Sequence, residues 1–202
     1  MKVALVGATG NAGSRILKEL VDRGHQVTAI VRNPASVPEH ANVVANAGDV
    51  NDGAQITQLV SGHDVAVSSL HFLAYDPHKL IAAIRAAGVR YIVVGGAGSL
   101  NMASGTRVID SGNVPEAYKA ESLAGVAYLD LLRSTTDLDW TFISPSAEFV
   151  PGKRTGVFRL GDDTLLQDAS GRSSISYEDY AVALVDEIER PAHSRGRFTV
   201  GY

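Results

Sequence analysis

The stretch that decides the fold is KVALVGATGNAGSRIL, residues 2–17. Five residues typical of a strand run directly into Gly7, Gly10 and Gly13, and a helical pattern follows. A strand, a tight turn and a helix start together point backbone N–H groups and the positive end of a helix dipole at a phosphate. Gly7 would permit the turn, Gly10 would let a pyrophosphate approach the backbone, and Gly13 would let the helix pack close to the strand. The remaining contacts are predicted from Thr9, Asn11 and Ala12.

Composition excludes several classes of function. The net charge is −4 and no basic tract is present, so we expect no nucleic-acid partner. Cysteine is absent, which excludes disulfides and cysteine-ligated zinc, and the six histidines lack metal-ligand spacing. No apolar run reaches the roughly 18 residues of a membrane span, and the first one meets glycines rather than a signal-peptide cleavage site. We therefore expect a cytoplasmic protein, monomeric or homodimeric, with no metal and no membrane partner.

Strand and helix patterns alternate along the first two thirds of the chain. Short apolar runs predict strands, and the patterns between them predict helices, the first of which ends at Gly24. The predicted strands are 2–6, 26–31, 42–45, 64–67, 89–94 and 139–143, and later helices are predicted at 78–87 and 115–133. This alternation predicts an α/β fold with a doubly wound parallel sheet in the order 3-2-1-4-5-6.

The regular alternation of predicted strands and helices ends after residue 145. Residues 151–175 predict turns and short strands (GVFRL and TLLQD), and a helix follows at about 176–190 with Ser176 as N-cap. The closing GRFTVGY predicts one more strand of the sheet. We interpret 1–202 as a single domain in which 146–202 form a small C-terminal lobe on the substrate side, over the carboxyl edge of the sheet.

The glycine spacing also carries a family resemblance. VGATGNAG is GxxGxxG and resembles the atypical and extended short-chain dehydrogenase/reductase superfamily. The rest of the chain resembles its small NAD(P)H-binding branch, which includes NmrA-like proteins and proteins named NADH-flavin reductases. The segments that carry this are VRNP, GDVND, VVGGAGSL, LDWTFISPSAEF and SYEDYAVALVDEIERPAH. The resemblance implies a Rossmann fold that binds a nicotinamide dinucleotide.

The second predicted strand bears on the choice of cofactor. An NAD site needs a carboxylate there for the ribose 2′-OH, but this chain has Arg32, and no acidic residue lies between Asp22 and Glu39. Arg32 can pair with the 2′-phosphate of NADP, and Asn33 can add a hydrogen bond. We therefore expect NADP(H) to be preferred, with NAD(H) as the alternative. Further cofactor contacts implied by the resemblance, near the adenine and its ribose, are Asp49, Val50, Ser68, Ser69 and Leu70.

Most of the superfamily uses a Tyr-x-x-x-Lys pair, in which the lysine lowers the pKa of the phenol. The one literal match, Tyr75 to Lys79, follows strand four instead of strand five, and we interpret it as coincidence. After strand five, Tyr118 and Lys119 are adjacent, so on a helix they point about 100° apart. Lys119 is predicted to reach the nicotinamide ribose, and Tyr118 is a second catalytic candidate or a core residue.

Other candidates follow strands five and six. The resemblance implies a catalytic role for Ser99, a nicotinamide lying against the bare backbone of Gly95 and Gly96, and carboxamide contacts from Pro145 and Ser146. Ser99 is alternatively a turn residue. His71 is the one histidine placed at the carboxyl edge of a predicted strand.

Three functions remain open at this stage. A flavin, a quinone or a similar conjugated small molecule accepts a hydride without a strong protein acid, which favours an NAD(P)H-dependent reductase with flavin as one candidate substrate. The same absence of a Tyr-x-x-x-Lys pair is typical of an NmrA-like sensor that binds NADP(H) without turnover. A sugar-nucleotide epimerase is a third alternative, although such enzymes generally need the tyrosine and a larger substrate lobe.

Overall fold

A computed structural model describes residues 1–202 and contains ten strands and five α-helices. The strands are β1 (Lys2–Val6), β2 (Gln26–Val31), β3 (Val43–Ala47), β4 (Val65–Ser68), β5 (Arg90–Val94), β6 (Trp140–Pro145), β7 (Glu148–Val150), β8 (Arg159–Gly161), β9 (Ser174–Ser176) and β10 (Gly196–Gly201). The helices are α1 (Asn11–Asp22), α2 (Gly53–Val60), α3 (Pro77–Ala87), α4 (Glu116–Ser134) and α5 (Tyr177–Glu189).

The main sheet has eight strands in the order β3-β2-β1-β4-β5-β6-β10-β8. All neighbouring strands are parallel except β8, which runs antiparallel to β10. The predicted order and the predicted extra C-terminal strand are therefore confirmed. This order reverses direction between β1 and β4, which is where a doubly wound sheet opens a ligand crevice.

The helices cover both faces of the sheet. Along β1, Val3 and Leu5 belong to a core shared with α1 and α5, whereas Ala4 and Val6 belong to a second core beneath α2, α3 and α4. This is the two-sided burial that continuous apolar strands indicate. No helix is both long and apolar enough to cross a membrane.

One helix and two strands were not predicted from the sequence. The helix α2 has only eight residues and begins at a glycine, with the Asp52 side chain accepting a hydrogen bond from the Gln55 amide as its cap. β7 and β9 form a separate two-stranded parallel sheet. The TLLQD segment forms no strand, although Thr164 makes an isolated bridge to Asn101.

Residues 146–202 are distributed over two regions. β10 extends the main sheet beside β6, and α5 packs against α1 as part of the core. The β7–β9 sheet and the loops around it lie by the carboxyl edge, where several of their residues line the cleft described below.

Candidate cofactor and substrate cleft

A cleft of about 1420 Å³ lies at the carboxyl edge of the main sheet. The loops after β1 to β6 line it, and so do residues near β7 and the start of α5. The predicted residues that line the cleft are Gly7, Thr9, Gly10, Asn11, Ala12, Arg32, Asp49, Val50, Ser69, Leu70, Gly95, Gly96, Ser99, Tyr118, Pro145 and Ser146. Gly13, Asn33, Ser68 and Lys119 do not line it.

The three glycines of the first loop have different neighbours. Gly7 has φ +85°, and a Cβ there would lie 2.2 Å from the carbonyl oxygen of Ser69. A Cβ on Gly13 would lie 2.0 Å from the carbonyl oxygen of Gly7, so Gly13 is a packing residue beneath the loop. A Cβ on Gly10 would meet nothing closer than 3.6 Å. Only at Gly10 does the missing side chain leave free space.

The start of α1 has unused hydrogen-bond donors. The amides of Asn11, Ala12 and Gly13 donate no hydrogen bond within the chain. The N-cap Gly10 offers no side chain, and the first turn has no acidic residue. By contrast, α2, α3 and α5 are capped by the side chains of their own N-cap residues. Free amides, free space at Gly10 and the helix dipole together fit the pyrophosphate of a dinucleotide.

Polar side chains line the part of the cleft after β2 and β3, where the adenosine is expected. Arg32 follows β2, is exposed, and makes no hydrogen bond or ion pair within the chain. The Asp49 amide donates to Oε1 of Gln55 at 2.8 Å, which fixes the loop after β3. Asn33 does not line the cleft, and its Oδ1 accepts a hydrogen bond from the Ala35 amide at 3.2 Å, which caps a short 3₁₀ turn.

The side chain of Ser68 points away from the cleft, while the predicted contact with the ribose is one of the backbone. Its hydroxyl is hydrogen-bonded to the Tyr91 hydroxyl at 2.7 Å in the core, and Tyr91 is in turn bonded to the hydroxyl of Tyr128 at 2.7 Å. Ser68 is the last residue of β4, and its side chain points into the sheet face beneath α4, away from the ligand edge. Burial raises the pKa of Tyr91 to about 12.

Only one residue of the literal Tyr-x-x-x-Lys match lines the cleft. Tyr75 lies in the cleft wall with its ring edge-on to Tyr128, and burial raises the pKa of its phenol. Lys79 is exposed on α3 and does not line the cleft. The interpretation of YDPHK as coincidence agrees with this placement.

Lys119, which is predicted to reach the nicotinamide ribose, lies outside the lining of the cleft. Its Nζ lies 2.9 Å from Oε2 of Glu116, one turn back on α4, and the pair is solvent-exposed. Tyr118, its neighbour, lines the cleft but is 67% exposed. Adjacent residues on a helix point in different directions, and here only the tyrosine faces the cleft.

Ser99 is held by a residue that the sequence did not indicate. Its Oγ lies 3.2 Å from Nη1 of Arg197 in β10, and the Arg197 guanidinium also binds the carboxylate of Asp163. Ser99 is 9% exposed and lines the cleft. Burial lowers the pKa of Arg197, and the adjacent Asp163 opposes that shift.

Phe72 is a second residue that the sequence analysis missed. Its ring lines the cleft and lies near Gly96, where a Cβ would be 4.0 Å from Cε2 of Phe72. The Glu121 carboxylate fixes this segment by accepting a hydrogen bond from the Phe72 amide at 2.6 Å. His71 is exposed, with Nδ1 3.5 Å from Oε1 of Glu121.

The glycines after β5 have separate roles. A Cβ on Gly95 would lie 2.3 Å from Cε1 of Phe142, so packing inside the sheet requires this glycine. Gly96 has no neighbour closer than 4.0 Å, and its backbone is the bare surface of the cleft. The predicted resting surface for the nicotinamide therefore depends on Gly96 more than on Gly95.

The sequence matches the family model described as NAD(P)H-binding over residues 7–191. The chain belongs to this NAD(P)H-binding family. The match begins at the first glycine of the loop, directly after β1, and ends just beyond α5, so it includes β2 to β9 and the loops after β1 to β6 that line the cleft. The resemblance to the NAD(P)H-binding branch of the short-chain dehydrogenase/reductase superfamily is confirmed.

Relatives in the NAD(P)H-binding family match the chain over its full length. The uncharacterized protein YwnB of Bacillus subtilis (strain 168) is 41% identical over 99% of this chain and 98% of its own. The structure of a provisionally assigned epimerase of Bacteroides thetaiotaomicron is similar with a TM-score of 0.95 and 39% identity, over 100% of this chain and 96% of that one. A provisionally assigned NADH-flavin reductase of Streptococcus pneumoniae TIGR4 has a TM-score of 0.86 and 35% identity, over 100% and 99%.

Proposed function

We propose that this protein is an NADPH-dependent reductase that transfers hydride from nicotinamide to a flavin, a quinone or a similar conjugated small molecule. The proposal rests on the cleft, in which a dinucleotide crevice is continuous with a part lined by apolar residues, here called the apolar arm. This arm contains no tyrosine–lysine pair that could donate a proton. Such a cleft suits an acceptor whose proton comes from solvent.

The apolar arm supports a planar, conjugated acceptor. Gly96, Phe72 and Phe149 line it, and the ring of Phe149 is edge-on to Tyr177 with centroids 4.5 Å apart. Other apolar residues line the same cleft, namely Met102, Val108, Val114, Pro115, Val126 and Leu165. Aromatic and aliphatic lining residues of this kind are typical of sites for flat organic molecules.

The absence of a phenol–lysine pair supports an acceptor of this class. Reduction of an isolated ketone needs a protein acid to protonate the developing alkoxide. A flavin or quinone distributes the incoming electron pair over its ring system, and solvent then supplies the proton. When bound, the nicotinamide supplies the hydride; the chain orients the partners, covers them with apolar surface, and offers the Ser99 hydroxyl at the inner end of the cleft.

The preference for NADPH rests on Arg32. Its guanidinium is free of internal partners, exposed at the adenosine end, and suited to a bidentate contact with a 2′-phosphate. The relative from Streptococcus pneumoniae bears a name that specifies NADH and flavin. Flavin is therefore retained as a candidate acceptor, while Arg32 favours the phosphorylated cofactor here.

Steady-state oxidation of NADPH tests the proposal. The protein is mixed with NADPH or NADH and a panel of FMN, FAD, riboflavin and soluble quinones, and absorbance is followed near 340 nm. The proposal expects turnover of about one per second or faster with at least one acceptor, within the ordinary range of enzymes. Tight NADPH binding without turnover on any acceptor would favour the NmrA-like sensor. Epimerisation of sugar nucleotides is assayed in parallel as the third candidate activity, because the relative from Bacteroides thetaiotaomicron bears a name that specifies an epimerase.

A further inference from the structure

Arg197 is a buried cation, and binding of a cofactor in the crevice does not explain why this charge is buried. Its side chain is 3% exposed. Nε donates to Oδ1 of Asp163 at 2.6 Å, and Nη2 binds the same oxygen. On its other edge, Nη1 lies 3.2 Å from Oγ of Ser99 and 3.3 Å from Oγ of Ser144. The guanidinium thus connects one carboxylate to two hydroxyls.

The direction of the hydrogen bond to Ser99 follows from chemistry. A guanidinium has only donors, so the Ser99 oxygen must accept. The hydroxyl hydrogen of Ser99 then has no acceptor within the chain, because Arg197 is its one hydrogen-bond partner. Since Ser99 is 9% exposed and lines the cleft, its free donor is available to a ligand in the cleft. Ser144 is completely buried and does not line the cleft.

We propose that Arg197, held by Asp163, is a positioning residue that makes Ser99 a hydrogen-bond donor to an oxyanion in the cleft. The inference rests on the proposed function and narrows its substrate class to acceptors with a carbonyl oxygen conjugated to the carbon or nitrogen that receives the hydride. The hydride brings two electrons to the acceptor, and negative charge develops on that oxygen until solvent protonates it. A donor hydroxyl with a cation behind it stabilises this charge.

The chain also fixes the position of Asp163. The Asn101 amide donates to the carbonyl oxygen of Asp163 at 2.8 Å, and the Leu165 amide donates to the carbonyl of Asn101 at 2.8 Å. The segment that carries Asp163 is therefore tied to the segment that follows Ser99. An ammonium lacks the planar fork of a guanidinium, so Arg197→Lys would retain the charge but lose the simultaneous contacts with Asp163 and Ser99.

Binding of 4-nitrophenol to the protein saturated with NADP⁺ tests the inference without turnover. Absorbance near 400 nm reports the phenolate. In the wild type, we expect the bound probe to ionise at lower pH than the free probe. Ser99→Ala and Arg197→Met should each weaken phenolate binding roughly tenfold or more, the usual consequence of losing a hydrogen bond to a charged group. Ser99→Thr should restore it, and Arg107→Met, which removes an exposed arginine paired with Asp110, should leave it unchanged.

A double-mutant cycle separates positioning from a general structural role. If Arg197 acts through Ser99, Arg197→Met should cost much less in the Ser99→Ala background than in the wild type. Equal losses in the two backgrounds would overturn the inference, as would binding of the neutral phenol, no binding of the probe, or wild-type phenolate affinity in Ser99→Ala. Ser99→Ala also keeps the test decisive if Arg197→Met fails to fold. A phenolate shift in a protein that oxidises no NADPH would refute the reductase and retain the oxyanion site.

Discussion

The ring of Phe72 occupies the space that a side chain at Gly125 would need: a Cβ there would lie 2.9 Å from Cε2 of Phe72. The ring stacks with Phe142 at 6.2 Å between centroids and lies 5.2 Å from the ring of Tyr128. Because Glu121 holds the Phe72 backbone, a side chain at position 125 would displace the Phe72 ring mainly towards the cleft. The missing side chain at Gly125 therefore leaves room for the Phe72 ring in the wall of the cleft.

Gly125→Ala should narrow the acceptor arm. We expect KM for a quinone or flavin to rise several-fold while the Kd for NADPH stays within about twofold, because the phosphate loop is not in contact with this position. Stability should change by no more than about 2 kcal/mol, since overpacking opposes the gain in helix propensity. Steady-state kinetics and NADPH fluorescence titration measure both constants. Gly53→Ala, at a helix start with no atom closer than 3.8 Å, is the control; the same rise in KM there would refute the role of Phe72.

Replacement by valine should affect cofactor binding at Gly10 but stability at Gly13. Gly10 has φ −71° and free space around its Cβ, so Gly10→Val should fold but lose NADPH binding. Gly13→Val drives a side chain into the carbonyl of Gly7 and should destabilise the fold by about 3 kcal/mol or more, or roughly 6–12 °C in Tm. Thermal unfolding and cofactor titration distinguish the two. Normal NADPH binding by Gly10→Val would mean that this loop is not the phosphate site.

Arg32→Ala should alter the choice between cofactors. Loss of a charged partner of the 2′-phosphate costs about 1.5–3 kcal/mol, or roughly ten- to hundredfold in NADPH affinity, whereas the Kd for NADH should barely change. Titration of both cofactors with wild type and variant measures the ratio. Arg190→Ala removes an exposed arginine away from the cleft and is the matched control. Equal affinities of the wild type for NADPH and NADH would contradict the assignment of Arg32.

Lys119→Ala should leave turnover unchanged. Its exposed ion pair with Glu116 changes the free energy of unfolding by no more than about 0.5 kcal/mol. Tyr75→Phe should also be tolerated, because burial keeps that phenol protonated and Lys79 lies outside the cleft. Comparison of kcat for these variants with kcat for Ser99→Ala measures the difference. A loss in Tyr75→Phe equal to that in Ser99→Ala would restore the literal Tyr-x-x-x-Lys pair as the catalytic one.

The sheet and its phosphate loop could be predicted because both are local signals. The apolar runs identify the strands, and the spacing of Gly7, Gly10 and Gly13 between a strand and a helix identifies the turn. The short helix α2 was missed because it starts at a glycine and depends on the Asp52 cap. β7 and β9 were missed because each has three residues and forms only by pairing with the other.

The site residues that were missed depend on contacts between distant parts of the chain. Arg197 is 98 residues from Ser99 in sequence, and no local pattern indicates that they meet. At Lys119, the family resemblance implies a role at the nicotinamide ribose, whereas the structure places the side chain beside Glu116 on the solvent face of α4. The alternation of side chains along β4 directs the hydroxyl of Ser68 into the core, where it is hydrogen-bonded to Tyr91.

The most direct test of the central claim is a single turnover of bound NADPH. Protein carrying one equivalent of NADPH is mixed rapidly, without oxygen, with an excess of a soluble quinone or flavin, and the absorbance at 340 nm is recorded. If the protein is a reductase, the absorbance of bound NADPH should decay in one exponential phase. The rate constant of this phase should be roughly tenfold or more lower in Ser99→Ala than in the wild type. Full binding of NADPH with no decay faster than in protein-free solution, for every acceptor, would contradict this claim.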